Sequence, residues 1–337
     1  MKLDTKSRLA ILILLALVVA ALAPAFGRVQ IDYGQAVSDL LAGRDTAAAR
    51  VLELRLPRVL LGLLAGGSLA VVGASFQTLL RNSLATPYTL GVSFAAALGA
   101  FLALSLPVLQ FRFGPFSSVT VLALVFAVAQ VLSLDRIAQR RREMSTHELL
   151  LAGVTLNFVF AAAIMLVRFL ADPLRLRAMD RWMMGGLQVA GFGDLQFLPW
   201  FLVPALAVLF LRAGALDQIA IGEEMARARG VAVDNVQRSV LLAGSAAVAT
   251  LVAITGPIGF VGLLVPHAAR RIFGPSHPML LAACWWMGGV FLVFADAVAR
   301  ALNLAGRGSE LPVGVLTALA GGPLFLILLL SRARSRP

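Results

Sequence analysis

The stretch 59–80, VLLGLLAGGSLAVVGASFQTLL, contains 22 residues and no charged side chain. A helix of about 20 apolar residues is long enough to cross the hydrocarbon core of a bilayer. Runs of this kind recur along the whole chain of 337 residues, of which only 14% are charged. The mean hydropathy is correspondingly high, at +0.89. The sequence therefore predicts an all-α polytopic membrane protein.

Ten apolar runs bounded by charged or turn residues are candidate transmembrane helices, which predicts about ten spans in one membrane domain over 1–337. The runs cover 9–26, 59–80, 88–107, 115–134, 148–170, 195–212, 238–255, 258–272, 279–301 and 313–331. The eighth is short, follows Pro257 and contains Pro266. Membranes tolerate such a segment only where it is buried in protein or lines a cavity. The first run also fits a signal peptide, and both interpretations place the residues after it outside.

The distribution of basic residues predicts which side of the membrane each loop faces. With the N-terminus inside, the hydrophilic segments near 1–8, 81–87, 135–147, 212–238, 270–278 and 332–337 are cytoplasmic. They carry 17 of the 29 Lys and Arg residues, as the positive-inside rule requires. The net charge of +12 is explained by this rule, and no basic stripe with aromatics indicates nucleic-acid binding. Both termini are therefore predicted to be cytoplasmic.

The residue inventory argues against an enzyme. The only lysines are Lys2 and Lys6, so the chain has no P-loop lysine to hold ATP phosphates. No His-Glu-x-x-His metal motif occurs, and the three histidines lie far apart at span ends, where capping or interfacial roles are expected. Cys284 stands alone in an apolar span, which excludes a disulfide and a thiolate metal site. Transport, or helix packing without transport, remains.

A charged segment, AIGEEMARARGVAVD at 220–234, interrupts this apolar chain. Two glutamates precede two arginines, an order that suits the dipole of a short helix. Met225 and Ala226 could offer an apolar contact to a groove on a partner. The alternative is a solvated loop helix without a partner.

Two further patterns lie in or beside the spans. Small residues four apart predict close helix packing at 62, 66 and 70, at 91, 95 and 99, and at 314, 318 and 322. Arg55-Leu-Pro-Arg58 precedes the second span, and its proline is placed to start a helix. Asp296 and Arg300 lie four residues apart on one helical face. These charges are either interfacial arginines with a local ion pair or a basic rim that receives an acidic partner.

Several ordered motifs together resemble a known family. They are GPIGFVGLLVPHAAR at 256–270, ADAVAR at 295–300 and ELPVGVLTALAGGP at 310–323, preceded by RLPR at 55–58, RNSLATP at 81–87, LGVS at 90–93 and WMMG at 182–185. In this order they are similar to the permease subunits of ABC importers for ferric siderophores, haem and vitamin B12. The resemblance covers 50–330.

The resemblance implies a ten-helix, vitamin-B12-permease-like (type II importer) subunit of a bacterial inner membrane. It implies a homodimer in membrane lipid, with two cytoplasmic ABC ATPases that bind ATP and Mg²⁺ and one periplasmic substrate-binding protein. The permease itself would bind no cofactor, no metal and no nucleic acid, and would import a ferric siderophore, haem or cobalamin. It would not be an enzyme.

The resemblance also assigns roles to residues of this sequence. The loop at about 213–237 would form coupling helices that dock on the ATPase, and the residues implied are Gly222, Glu223, Glu224, Met225, Ala226, Arg227 and Gly230. Arg55, Arg58 and Arg300 would dock the binding protein. Asn82, Leu84, Ser145 and Thr146 would form the cytoplasmic gate.

The sequence departs from the family pattern at the gate, where Ser83 and Thr86 replace a usual proline and a usual acidic residue. The departure weakens the expectation of a rigid gate. Gly322 stands where alanine is common, a change that close packing tolerates. The rival function is a secondary transporter or channel that acts without an ATPase. It would need a carboxylate or histidine at bilayer depth for proton or sodium coupling, and Asp296 and Glu148, the only acids near spans, lie close to span ends.

Overall fold

The computed structural model describes residues 4–27, 29–114, 116–140, 146–189, 191–302 and 310–333. About 81% of the chain is helical, which confirms the all-α prediction. The described part contains fourteen α-helices and one two-stranded antiparallel hairpin, β1 (Arg112–Phe113) and β2 (Phe116–Ser117). The helices are α1 Thr5–Leu22, α2 Tyr33–Leu41, α3 Ala47–Leu79, α4 Val92–Ser105, α5 Ser118–Arg140, α6 Thr146–Leu170, α7 Pro173–Met183, α8 Leu198–Leu211, α9 Ala213–Ile221, α10 Glu223–Ala228, α11 Val233–Thr255, α12 Val261–Phe273, α13 His277–Ala301 and α14 Val313–Ala333.

Seven helical segments within the described residues are long and apolar enough to cross a membrane. They lie at Thr5–Ala25, Ala47–Leu79, Ser118–Ile137, Leu150–Leu170, Phe192–Leu211, Val233–Thr255 and His277–Ala301. Two shorter apolar helices, Val92–Ser105 and Val313–Ile327, match the third and tenth predicted spans. The eighth predicted span corresponds to α12, which has 13 residues and contains Pro266. Ten spans therefore stay a prediction, although every predicted run has a helix.

Helix α3 is the central helix of the bundle. Its most apolar window is 83% buried, whereas that of α6 is only 11% buried and exposes Phe158 and Phe169. At 33 residues, α3 is about 50 Å long, more than a bilayer core needs. It packs against α13, α12 and α11, while α6 and α1 present apolar side chains outward, as lipid-facing helices do.

Pro57 does not start a helix, so that part of the prediction is wrong. Helix α3 begins ten residues earlier at Ala47, where the Thr46 hydroxyl accepts a hydrogen bond from the Ala49 N–H at 3.2 Å. A threonine at this position is a good helix start because it satisfies an otherwise free N–H. Pro57 is therefore inside α3, and the charged turns around it continue the apolar helix beyond the predicted span.

Helices α3 and α13 run antiparallel at backbone contact. A methyl group added at Gly66 would lie 2.1 Å from the Gly288 carbonyl oxygen, so neither position has room for a side chain. Farther along α3, a methyl group at Gly73 would lie 1.9 Å from the carbonyl oxygen of Gly262 in α12. The small-residue row at 62, 66 and 70 thus packs helices closely, as predicted.

The bundle has two ends that the α3–α13 pair defines. At one, Arg58 of α3 meets Asp296 of α13, and we call this the Arg58 end. At the other, Thr78 of α3 meets His277 at the start of α13, and we call this the Thr78 end. Helix α1 starts at the Thr78 end, since Arg8 donates to the Ile272 carbonyl oxygen at 2.8 Å. The charged segment 220–234 lies at the same end, next to α9.

Replacing Gly66 by alanine should destabilise the folded chain by about 1–3 kcal/mol, because the added methyl group must push α3 away from α13. The same substitution at Gly214 is the control, since nothing lies within 4 Å of a methyl group there. The temperature at which each purified variant loses its monodisperse size-exclusion peak in detergent is the measurement. Equal midpoints for the two variants would contradict the close approach.

Candidate functional site

The charged segment forms the short helix that the sequence predicts. Helix α9 ends at Ile221, Gly222 is extended, and α10 then runs over Glu223–Ala228. Gly230 has φ +84, a conformation that suits glycine. The Gly230 N–H donates to the Arg227 carbonyl oxygen and the Val231 N–H to that of Ala226, which is a Schellman ending. Gly222 and Gly230 therefore bound α10, which together with α9 forms a compact two-helix knob.

The knob is held together by its own side chains and keeps one face free for a partner. Ala226 is fully buried against the chain. Arg227 lies 2.9 Å from Asp234 and 3.9 Å from Glu223, which ties α10 to α11. Glu224 and Met225 point outward, and Met225 is 50% exposed. An exposed methionine beside an acid is an adaptable surface for a groove on another protein.

Three polar side chains connect the knob to the two central helices. Asp217 of α9 accepts a hydrogen bond from the His277 N–H at 2.8 Å and lies 2.6 Å from the same residue's Nδ1. The His277 Nε2 lies 2.7 Å from the Thr78 hydroxyl of α3. The carboxylate of Asp217 caps the N-terminus of α13, where negative charge is favourable. His277 is only 2% exposed and is the first residue of α13, and its capping or interfacial role stays a prediction.

The loop after α3 lies beside the knob. A cleft of about 560 Å³ at the Thr78 end is lined by Gln77, Thr78, Arg81, Ser83, Ala220, Ile221, Gly222 and Arg270. Asn82 accepts a hydrogen bond from the Leu84 N–H at 2.9 Å, and Leu84 is 45% exposed. Thr146 begins α6, and Ser145 lies outside the described residues. The gate role of these four residues stays a prediction.

At the Arg58 end, the three predicted arginines come together in one buried network. Arg58 donates from Nε and Nη2 to Asp296 at 2.8–3.0 Å and from Nη1 to Glu310 at 2.6 Å. The Nε of Arg300 lies 3.0 Å from Asp296. The Asp296 and Arg300 side chains are each 2% exposed and that of Arg58 is 13% exposed. Desolvated charges of this kind must be paired to be tolerated.

Backbone carbonyl groups complete the network, which holds three cations and two anions among the described residues. Arg55 donates to the carbonyl oxygens of Pro24 and Val29, at 2.7 and 2.6 Å. Arg300 donates to those of Ala23 and Phe26, at 3.1 and 2.8 Å. Residues 23–27 and Val29 therefore lie over Arg55 and Arg300. They form no open basic rim, so a contact with another protein would require this segment to move; their docking role stays a prediction.

The substitution Asp296→Asn should destabilise the fold by about 3–5 kcal/mol, because it leaves Arg58 and Arg300 buried beside a neutral amide. The control is Asp45→Asn, which breaks an ion pair to Arg50 whose side chains are both 67% exposed and should leave the melting temperature near that of the unaltered chain. Differential scanning fluorimetry in detergent measures both. Similar losses of stability in the two variants would contradict the network's importance.

The sequence reasoning missed two features of these ends. No predicted span covers helix α7, although Asp172-Pro173 is a recognisable helix start, with the Asp172 carboxylate accepting from the Leu174 and Arg175 N–H groups at 3.0 Å. The Asp217–His277 pair joins residues 60 apart, and no local pattern predicts it. Among the described residues, no three His, Cys, Asp or Glu side chains group as a metal site.

Membrane-length helices around a buried central helix, short Gly- and Pro-interrupted helices inside the bundle, and an exposed charged knob at one end define a membrane transport permease. Residues 11–331 match the FecCD transport family, and the chain belongs to this family of ABC transporter permeases.

Named relatives and one solved structure agree with this membership. The ABC transporter permease protein YvrB of Bacillus subtilis (strain 168), itself uncharacterised, is 38% identical over 84% of this chain and 79% of its own length. The cobalamin import system permease protein BtuC of Halobacterium salinarum is 38% identical over 86% of this chain and 75% of its own length. A structure described as an inward-facing conformation of a metal-chelate type ABC transporter superposes with a TM-score of 0.82, 28% identity and coverage of 97% and 99% of the two chains.

Proposed function

We propose that the chain is the membrane-spanning subunit of an ATP-driven importer that moves a metal chelate, a ferric siderophore, haem or cobalamin, into the cytoplasm. It would act as a homodimer in the inner membrane, with two ATPase subunits at the Thr78 end and a periplasmic binding protein at the Arg58 end. ATP and Mg²⁺ would bind to the ATPases. Cobalamin import by a named relative and the metal-chelate structure support this substrate class.

The observation that carries the proposal is the knob of α9 and α10. Gly222 and Gly230 fix the ends of α10, the inner face of α10 is buried through Ala226, and its outer face exposes Glu224 and Met225. A preorganised, exposed helix costs little conformational entropy when it docks. Such a surface suits the groove of a cytoplasmic ATPase, and the positive-inside rule predicts that this end of the chain is cytoplasmic.

The knob is also placed to move the bundle. Asp217 of α9 holds the first turn of α13 through His277, which in turn contacts Thr78 in the last turns of α3. A displacement of the knob by the ATPases would therefore act on the two central helices at once. Asn82 and Leu84 follow α3 directly, so a gate there would move with it. Rigid elements with two arrangements are the physical means of such coupling.

An ion-gradient-driven transporter is the less favoured alternative because of where its acids lie. Asp296 is 1% exposed and lies within 3.0 Å of two guanidinium groups. A carboxylate that neutralises two buried arginines is poorly suited to bind and release a proton in each cycle. Glu148 is exposed in the first turn of α6, at a helix end. The knob would also have no role in a transporter that acts alone.

Docking of a binding protein at the Arg58 end follows from the same architecture. Arg55 and Arg300 hold the segment 23–29 over the network, so this segment and the side chains around it would meet a receptor first. The arginines would then act either through that segment or after its displacement. Charge reversal of Arg58 is a poor test of docking because it also breaks the bonds to Asp296 and Glu310.

The substitution Met225→Asp should weaken the ATPase–permease association by about 30-fold or more, roughly 2 kcal/mol, by placing a charge in the apolar part of the contact. The control is Leu41→Asp, at an 84% exposed position in α2 near the opposite end. Titration of purified ATPase onto nanodisc-embedded permease measures the affinity. An unchanged affinity for the Met225 variant would remove α10 from the interface.

Uptake into proteoliposomes that contain the chain and its ATPase tests the whole proposal. Ferric siderophores, haem and cobalamin would be supplied outside, with and without ATP and the binding protein. Accumulation that requires both would support the importer and identify the chelate. Accumulation by the chain alone, driven by an ion gradient, would replace the proposal with the alternative.

A further inference from the structure

A cavity of about 500 Å³ lies beside α7, outside the network of buried charges. Its polar lining consists of Arg177, Arg181, Gln188 and Thr255, together with the indole of Trp182. The rest of the wall is Leu104, Val119, Leu174, Ala178, Gly185, Gly186, Ile254 and Pro312. Pro312 is two residues from Glu310, the partner of Arg58, so the cavity opens at the Arg58 end. Its size is that of a small-molecule site.

Helix α7 places two exposed arginines on one side of the cavity. Arg177 and Arg181 are four residues apart and so lie on one face, with Ala178 and Trp182 beside them. Helix α7 is anchored by Met179, which is fully buried, and by Arg175, which donates to the Ser105 carbonyl oxygen. Trp182 packs edge-on against Phe101, with ring centroids 6.3 Å apart. The cavity wall is therefore preorganised.

The positive charge of this cavity is unmatched by the part of the chain that is described. Arg177 and Arg181 have no ion pair or hydrogen bond with another described residue. The two acids of the same segment are engaged elsewhere, Asp172 with Arg175 and Asp180 with Arg168 at 2.8 and 2.6 Å. None of the described residues that line the cavity is acidic. Two guanidinium groups facing a partly apolar space suit an organic molecule that carries an anionic oxygen group.

We propose that this cavity receives a carboxylate arm of the transported chelate at the Arg58 end of the pathway. The inference rests on the proposed importer function and narrows it: the chelate is an anionic one that bears carboxylates, and its apolar part lies against Trp182 and the ends of α4, α11 and α14. A chelate without carboxylates makes no charge-assisted hydrogen bond to the two guanidinium groups and binds here less tightly.

The test is uptake by the reconstituted transporter with its ATPase and binding protein. The probes are haem and ferric citrate, which carry carboxylates, and ferrichrome and cobalamin, which do not. The variants are the unaltered chain, the double variant Arg177→Gln/Arg181→Gln, and Arg112→Gln as a control at an exposed position outside the cavity lining. We expect the unaltered chain to import a carboxylate chelate. In the double variant, KM should be about tenfold or more higher, while kcat should stay within twofold. Both constants should be unchanged for Arg112→Gln.

Two further experiments test whether the arginines bind a lipid headgroup or the binding protein in place of the chelate. Proteoliposomes of phosphatidylcholine alone and with added phosphatidylglycerol should give the same increase in KM, and an increase that needs the anionic lipid would assign the cavity to a headgroup and overturn the proposal. Titration of the binding protein onto each variant should give equal affinities. Weaker binding of the protein alone would make the arginines a docking surface, which also overturns it.

The remaining outcomes distinguish the two proposals. If the unaltered transporter imports only ferrichrome or cobalamin, or if the double variant keeps the KM of the unaltered chain, the importer stands and the carboxylate site is rejected. If it imports nothing with ATP, the importer proposal fails. Quenching of tryptophan fluorescence in the nanodisc-embedded chain then tests whether the cavity binds a carboxylate. Haem should bind the unaltered chain about tenfold more tightly than its dimethyl ester does. The two ligands should bind the double variant with equal affinity. Equal affinities in the unaltered chain would reject the site.

Discussion

The antiparallel contact of α3 with α13 is the constraint on which the rest of the bundle depends. In its middle, Gly66 and Gly288 bring the two backbones into contact with no space for a side chain. At one end the same pair is joined by Arg58 and Asp296, and at the other by Thr78 and His277. In lipid, close packing and buried polar contacts supply the association that the hydrophobic effect supplies in water. One helix pair thus spans the distance between the two candidate functional regions.

A different segment packs against each end of this helix pair, so the two ends of the molecule differ in structure. At the Arg58 end an excess of buried positive charge is met by carbonyl groups of 23–29, which fixes the segment after α1 over α3 and α13. At the Thr78 end a single carboxylate, Asp217, attaches the knob of α9 and α10 to the same helices. The first contact is multiple and buried, and the second is smaller and partly exposed. Motion is easier where fewer bonds must break.

The sequence predicts the helices better than their contacts. The apolar runs correspond to helices throughout, because hydrophobic length is a local property, and GEEMARARG correctly predicts a short helix since its glycines and charges act within one turn. The burial of Arg55 and Arg300 could not be predicted, because their partners are carbonyl groups of a distant segment. Asp217 and His277 are likewise 60 residues apart. The cavity beside α7 requires six separate elements to meet, although the spacing of Arg177 and Arg181 hints at one face.

The central claim is that the two ends of the α3–α13 pair face opposite sides of the membrane, with the knob in the cytoplasm. The chain has one cysteine, Cys284, which is buried, so Cys284→Ala provides a background for single exposed cysteines. Labelling of Arg112→Cys and Arg229→Cys with a membrane-impermeant maleimide, in intact spheroplasts and in lysed membranes, measures sidedness directly. The account predicts that the Arg112 variant is labelled in intact spheroplasts and the Arg229 variant only after lysis. The opposite pattern, or labelling of both from one side, would contradict it.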